Sequence, residues 1–314
     1  MSLHVVLGKG PVGSTLTERL VDAGHDVRVL SRSGGRSTDR VEHVALEASD
    51  TATLTAASRG ATVLYNCANP AYHRWAEQWP PVAAALLDAA EATGAVLVVM
   101  GNLYGYGPVD RPMTEDLPLA ARGVKGRVRV AMWEQALARH EAGAVRVTEA
   151  RASDFVGPRV VGTGYLGERA VPRLLAGRTV QHIASPDQPH SWTAISDVAR
   201  TLERLGADER AWGRAWHVPT APPVTYRQAV HGLCRAAGVP PVRVVQLPHL
   251  ALRAAGLLSP VLRELEETRY QFTRPYVLDS SAATAVFGLE ATPLERTFAD
   301  TVAWWQDRVP VRRG

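Results

Sequence analysis

Cysteine and lysine are both scarce in this chain. Of 314 residues only two are cysteine, Cys67 and Cys234, too few for a disulfide framework or a cysteine-rich zinc site. Aromatic residues account for 6%, and no apolar run approaches the roughly 18 uninterrupted residues of a membrane-spanning helix. The opening Met1-Ser2-Leu3-His4 carries no basic leader region, so the default expectation is a cytoplasmic protein with no membrane partner and no metal. Net charge is +4, and the basic residues are dispersed rather than clustered, which argues against a dedicated nucleic-acid surface. Only two of the 35 basic residues are lysine, Lys9 and Lys125. Codon usage alone could make lysine this rare; the other reading is that the survivors mark positions at which a compact, titratable ammonium can do what a guanidinium cannot.

Apolar material is plentiful at 46%, and the length predicts about two domains at roughly 150 residues each. His4-Val5-Val6-Leu7 reads as a buried strand that runs into Gly8-Lys9-Gly10-Pro11-Val12-Gly13, a complete G-x-G-x-x-G. Leu16, Leu20 and Val21 recur at helical spacing up to Gly24, and Val27-Arg28-Val29-Leu30 reads as a second strand. Strand, glycine turn, helix and strand within about 30 residues is the context in which this motif binds a dinucleotide. Gly8, Gly10 and Gly13 permit a tight turn and close approach of backbone to pyrophosphate, while the helix opening at Pro11-Val12 offers N–H groups and its positive dipole end. The end of the second strand, where an acid marks NAD, reads Ser31-Arg32-Ser33, with no acid before Asp39. Arg32 can take a ribose 2′-phosphate by charge, and Ser31 or Ser33 can donate hydrogen bonds to it. NADP is therefore the expected cofactor, with NAD as the alternative.

Further strands are expected at 44–46, 61–65, 96–100 and 145–148, separated by helices at 51–58, 81–93 and 124–142. Alternation of this kind predicts an α/β protein with a Rossmann-type doubly wound parallel sheet. The dinucleotide domain is expected over 1–157, with 178–218 returning to it. A smaller, mostly helical substrate lobe is expected over 158–177 and 219–314. The fourth strand ends at Cys67-Ala68-Asn69, expected beside the cofactor. His73, Trp75 and Trp79 follow it, where a doubly wound sheet opens its crevice, and substrate contact competes there with simple packing. In the lobe Arg263, Tyr270 and Arg274 are candidate substrate contacts, although a solvated helix face is the better reading of each.

The segment after the fifth strand is the most distinctive. Gly101-Asn102-Leu103-Tyr104-Gly105-Tyr106-Gly107-Pro108 runs into Pro112-Met113-Thr114-Glu115-Asp116-Leu117-Pro118. It resembles the "YG … P-x-T-E-D-x-P" stretch of extended short-chain dehydrogenases/reductases, the NAD-dependent epimerase/dehydratase family. Arg151-Ala152-Ser153-Asp154-Phe155-Val156-Gly157-Pro158, the 190–199 segment, Leu278-Asp279-Ser280-Ser281 and Phe287-Gly288-Leu289 extend the resemblance over nearly the whole chain.

The resemblance implies a serine or threonine with Tyr-x-x-x-Lys, in which the tyrosine handles the proton at the carbinol carbon and the lysine holds the nicotinamide ribose. This chain departs from that pattern. Counting back from Tyr104 puts Met100 at the serine position, and counting from Tyr106 puts Asn102 there. Lys125 takes the tyrosine position and Arg129 the lysine position, in Lys125-Gly126-Arg127-Val128-Arg129. A proton donor is still required for hydride chemistry at a carbonyl. Lys125 could supply it if burial and Arg129 depress its pKa, Tyr104 or Tyr106 could supply a phenol, and Asn102 an amide donor to a polarised oxygen. Arg129 is expected to hold ribose hydroxyls. The expected activity is an NADP(H)-dependent oxidoreductase acting on a small organic carbonyl, enone or imine. A redox-neutral epimerase or dehydratase and a non-catalytic NADP-binding sensor are the alternatives. The resemblance also implies a homodimer through the helices at 81–93 and 124–142, whose alanine-rich faces fit core packing equally well.

Overall fold

In a computed structural model of the chain, residues 2–162, 164–257, 264 and 266–308 are described. The apolar runs become β1 (Leu3–Leu7), β2 (Asp26–Ser31), β3 (Val41–Ala45), β4 (Ala61–Asn66), β5 (Val96–Asn102) and β6 (Val147–Ala152), joined by the strand Ala215–His217. They form one seven-stranded sheet in the order 215–217, β6, β5, β4, β1, β2, β3. β1 pairs in parallel with both β2 and β4. β4, β5 and β6 are almost wholly buried, as expected for parallel strands covered on both faces. The chain lays down β1 to β3 in one direction and returns with β4 on the other side of β1. The carboxyl ends of β1 and β4 therefore flank the switch point at which such sheets bind ligands.

Four helices connect these strands: α1 (Pro11–Asp22), α2 (Thr51–Ala57), α3 (Trp75–Thr93) and α4 (Val124–Glu141). α3 packs against both α2 and α4, and its alanines Ala83, Ala85, Ala89 and Ala90 are buried. α3 begins six residues before the expected start at 81 and carries Pro80 and Pro81 inside it. Each proline removes a helical hydrogen bond, normally a cost of about 3 kcal/mol. The carbonyls left over belong to Ala76 and Glu77, both exposed to solvent. Burial of Trp75 and Trp79, 3% and 0% exposed, offsets the remainder, since a large apolar side chain is worth up to about 3 kcal/mol. Their burial makes both tryptophans core residues rather than substrate contacts. β6 also runs beyond its expected end at 148, to Ala152, because Glu149 and Arg151 are accommodated in the sheet as a buried pair.

The chain divides into two compact units. The first is Met1–Gly107, Glu115–Arg151 and Val198–Val218; the second is Pro108–Thr114, Ala152–Asp197 and Pro219–Gly314. Of the 178–218 segment expected to return to the sheet domain, only the part from Val198 belongs to the first unit. The earlier part is retained by pairing within the second unit, where Val180–His182 runs parallel to Val244–Gln246 and Trp192–Ala194 parallel to Asp154–Val156. That unit has its own core around Trp192, Tyr226, Phe272 and Phe298. Its helix Tyr226–Ala237 opens on a capping box formed by Thr225 and Gln228. Tyr270 is half-buried and Arg274 exposed, while Arg263 lies outside the described residues. No helix among the described residues is long and apolar enough to cross a membrane, and no cluster of metal-ligating side chains occurs among them.

Candidate functional site

Two features at the carboxyl edge of the sheet, both within the first unit, gather the candidate residues. The first is the glycine loop. Gly8 has φ +106°, and a Cβ on it would lie 2.7 Å from the Cys67 carbonyl oxygen. A Cβ on Gly13 would come within 1.9 Å of the Gly8 carbonyl oxygen. The loop after β1 thus closes against the end of β4 and onto the first turn of α1 without room for a side chain. Gly10 is the opposite case: it is exposed, and a Cβ there would meet nothing within 4 Å. Pro11 opens α1, and no side chain caps its N-terminus, so the first-turn N–H groups of Val12 and Gly13 are available to an anion. A cradle closed behind Gly8 and Gly13 and open in front of Gly10 fits the pyrophosphate of a dinucleotide.

The turn after β2 adjoins this loop. Gly8 N donates to the Leu30 carbonyl at 2.8 Å, and Lys9 Nζ donates to the Gly34 carbonyl at 2.6 Å. Ser31 Oγ also donates to Gly34 O, at 3.3 Å, while Arg32 and Ser33 are exposed. Lys9 is the residue that motif reading passed over. It occupies a variable position of the glycine motif, and only the scarcity of lysine singled it out. On the β4 side, Cys67 N donates to Leu7 O at 2.8 Å. Cys67 is buried, and burial pushes its thiol well above the ordinary range, which keeps it protonated and unreactive. Ala68 is half-buried and Asn69 exposed.

The second feature joins α3, α4 and the turns after β4 and β5. Lys125 is 1% exposed, and its Nζ lies 4.6 Å from the centre of the Tyr72 ring. Tyr72 Oη donates to Tyr104 Oη at 3.4 Å, and both rings are half-buried. The Asn102 side-chain oxygen accepts from Tyr104 N at 3.1 Å, so this amide shapes the turn that presents Tyr104. Arg129, one helical turn beyond Lys125, is stacked between Trp75 and Trp79, 4.7 and 4.5 Å from the ring centres. Its Nη1 donates to the Met100 carbonyl at 3.3 Å. Burial lowers the Arg129 pKa to about 10 despite the opposing pull of Glu149. The structure therefore brings Lys125, Tyr104 and Asn102 into one neighbourhood and adds Tyr72, whose position in a loop with no motif left no signal in the sequence.

Tyr106 lies elsewhere. It is 1% exposed, accepts from Arg151 Nη1 at 2.9 Å and lies 2.8 Å from His217 Nε2. Burial raises its pKa against the opposing effect of Arg151. Arg151 Nε in turn donates to Glu149 at 2.6 Å. This is an internal network tying β6 to its neighbours, and it removes Tyr106 from the candidate donors.

Among solved structures, the chain is similar to a double mutant of the dTDP-glucose 4,6-dehydratase DesIV from Streptomyces venezuelae with NAD and DAU bound. Identity is 20%, 98% of each chain is covered, and the TM-score is 0.80. It is similar also to the UDP-glucose 4-epimerase of Thermotoga maritima with UDP-glucose, at 17% identity over 98% of this chain and 99% of that one, with a TM-score of 0.80. MoeE5 in complex with UDP-glucuronic acid and NAD matches at 21% identity over 98% of this chain and 100% of that one, with a TM-score of 0.78. At these identities the likeness is one of fold. No curated protein sequence matches. The model of the NAD dependent epimerase/dehydratase family matches residues 5–214, and with two-thirds of its length so matched on a doubly wound sheet, the chain belongs to that family.

Proposed function

We propose that this protein is an NADP(H)-dependent oxidoreductase acting on a small organic carbonyl, enone or imine, through a site in which Lys125, Tyr104 and Asn102 stand in for the usual serine and Tyr-x-x-x-Lys. The observation that carries the reading is the buried ammonium of Lys125 against a pair of half-exposed phenols. It sets a positive charge behind two phenols that carry exchangeable protons, where oxygen gains charge as a carbonyl is reduced. When bound, the nicotinamide supplies or takes the hydride. Gly8, Gly10, Pro11, Val12 and Gly13 hold the pyrophosphate through backbone, with Cys67, Ala68 and Asn69 forming the opposite wall. Support for NADP(H) comes from Lys9 and Arg32 flanking a turn with no carboxylate, as a 2′-phosphate requires. Asn102 orients Tyr104. Arg129, expected from sequence at the ribose, is assigned to fixing α4 against α3, because a guanidinium enclosed by two indoles and 7% exposed has little left to offer a ligand.

Incubation of the purified protein with NADPH and a panel of small carbonyl, enone and imine compounds tests this reading. Cofactor oxidation matched by reduced product is expected. Tight NADPH binding without turnover on any of them would refute it and favour a sensor. The second reading, a redox-neutral epimerase or dehydratase, is favoured by the nucleotide-sugar complexes among the similar structures. It predicts cofactor that copurifies with the protein and product formed without net oxidation.

A further inference from the structure

Tyr72 enters the site from the short turn Tyr72–Arg74 that precedes α3. We infer that Tyr72 and Tyr104 work as a coupled phenol pair, steadied by the Lys125 ammonium, and that this pair gives and takes the proton at the substrate oxygen. The inference rests on the carbonyl chemistry proposed above and identifies the donor within it.

Access decides among the proton-bearing groups. Lys125 is 1% exposed and Tyr106 likewise, whereas Tyr72 and Tyr104 are half-buried, so a substrate oxygen can reach a phenol but not the ammonium. Geometry then couples the two phenols, with their oxygens 3.4 Å apart and the ammonium 4.6 Å from the Tyr72 ring centre. In the reducing direction one phenol O–H bond breaks, its proton bonds to the substrate oxygen, and the electron pair stays behind as phenolate. The carbon would take its hydride from the nicotinamide when the cofactor is bound, and solvent would later return the proton to the phenolate. In the opposite direction the phenolate removes the proton from the alcohol. The phenolate is met by the O–H of its neighbour and by a cation that burial has stripped of water, where charge–charge attraction is strongest. Arg129 adds a second cation within electrostatic reach of Tyr104.

Ultraviolet titration of tyrosine ionisation in the purified full-length protein, without cofactor or substrate, tests the pair. The wild type is expected to show one phenol step at lower pH than the rest of its eight tyrosines. Tyr72→Phe and Tyr104→Phe should each abolish or displace that step, and Lys125→Met should raise it by about 1–3 pH units, the usual effect of a nearby opposite charge. Tyr72→Phe keeps the ring beneath the ammonium and so keeps the fold, whatever becomes of the lysine variant. If Tyr72→Phe leaves that low-pH step in place, the pair is refuted. Once the panel yields a substrate, each phenylalanine variant should lower turnover by about 10²–10⁴-fold, and the double variant no further than the worse single one, since coupled groups are not additive. Normal coupling in the titration with no turnover on the panel would overturn the oxidoreductase reading and uphold the pair. Loss of coupling in an enzyme that turns over would do the reverse.

Discussion

Gly10 and Gly13 share one motif, yet alanine should act on them in different ways. A Cβ at Gly13 lies 1.9 Å from the Gly8 carbonyl oxygen, 2.9 Å from its carbon and 3.4 Å from Val6 Cγ1. Relief requires the helix start and the loop to separate from 1.9 Å toward the 3.4 Å of ordinary contact, and both sides are backbone. Overpacking of this kind costs about 1–3 kcal/mol. At about 1.5 °C per kcal/mol for a chain of 314 residues, the midpoint of Gly13→Ala should fall by about 2–5 °C. Gly10 has φ −72° and open space before it, so Gly10→Ala should change the stability of the cofactor-free protein by less than about 1 kcal/mol. Its methyl group nevertheless fills the space through which a pyrophosphate approaches the first turn of α1. Dinucleotide affinity should drop at least about tenfold, or about 1.4 kcal/mol. Calorimetric unfolding with and without NADP+ reads both effects. At 100 times Kd the wild type gains about 2.7 kcal/mol from ligand, and Gly10→Ala should lose much of that gain while its cofactor-free midpoint stays put. If Gly10→Ala binds NADP+ as tightly as the wild type, the cofactor does not cross the loop at Gly10.

At the ribose end, Lys9→Ala and Arg32→Ala should each weaken NADP+ binding about tenfold or more while leaving NAD+ nearly untouched; titration calorimetry with both cofactors measures the ratio, and equal losses for the two would assign these residues to the loop rather than to a phosphate. In the buried network, Glu149→Leu strands Arg151 without its carboxylate, both side chains being 5% exposed. Urea unfolding should register a loss of about 3–5 kcal/mol, most of it recovered in Glu149→Leu/Arg151→Met; a single-variant loss below about 1 kcal/mol would contradict the pairing. Burial lowers the His182 pKa from 6.5 to about 4, so in the window between those values the unfolded chain binds the proton and the folded chain does not. Stability should therefore be fully present above pH 6.5 and fall as pH drops toward 4, by up to about 3 kcal/mol from this group. His182→Phe should remove its share of that slope and leave the share of His4, whose pKa burial also lowers to about 4; an unchanged slope would mean that His182 does not contribute to it.

Local pattern sufficed for six of the seven strands, to within a few residues, and for the glycine loop, because these are written in neighbouring residues. Buried parallel strands need continuous apolar runs, a tight turn beside a backbone needs glycine, and the missing carboxylate after β2 is visible as Ser31-Arg32-Ser33. The helix Tyr226–Ala237 is bounded by local signals of the same kind, its capping box at Thr225 and its stop at Gly238. What eluded the sequence depends on contacts between distant residues. Pro80 and Pro81 argued against a helix that the burial of two tryptophans sustains. The charged residues Glu149 and Arg151 hid the continuation of β6 to Ala152, where they pair internally, and Lys9 finds its partner, Gly34, only when two loops meet. The candidate site shows the division most clearly. Counting positions located Lys125 and Tyr104 on neighbouring elements, but no spacing rule could bring in Tyr72, which reaches them only because the parallel sheet sets the ends of β4 and β5 side by side. Arg129 reads from the chain as a cation for the ribose, and the packing of α3 on α4 puts it between two indole faces.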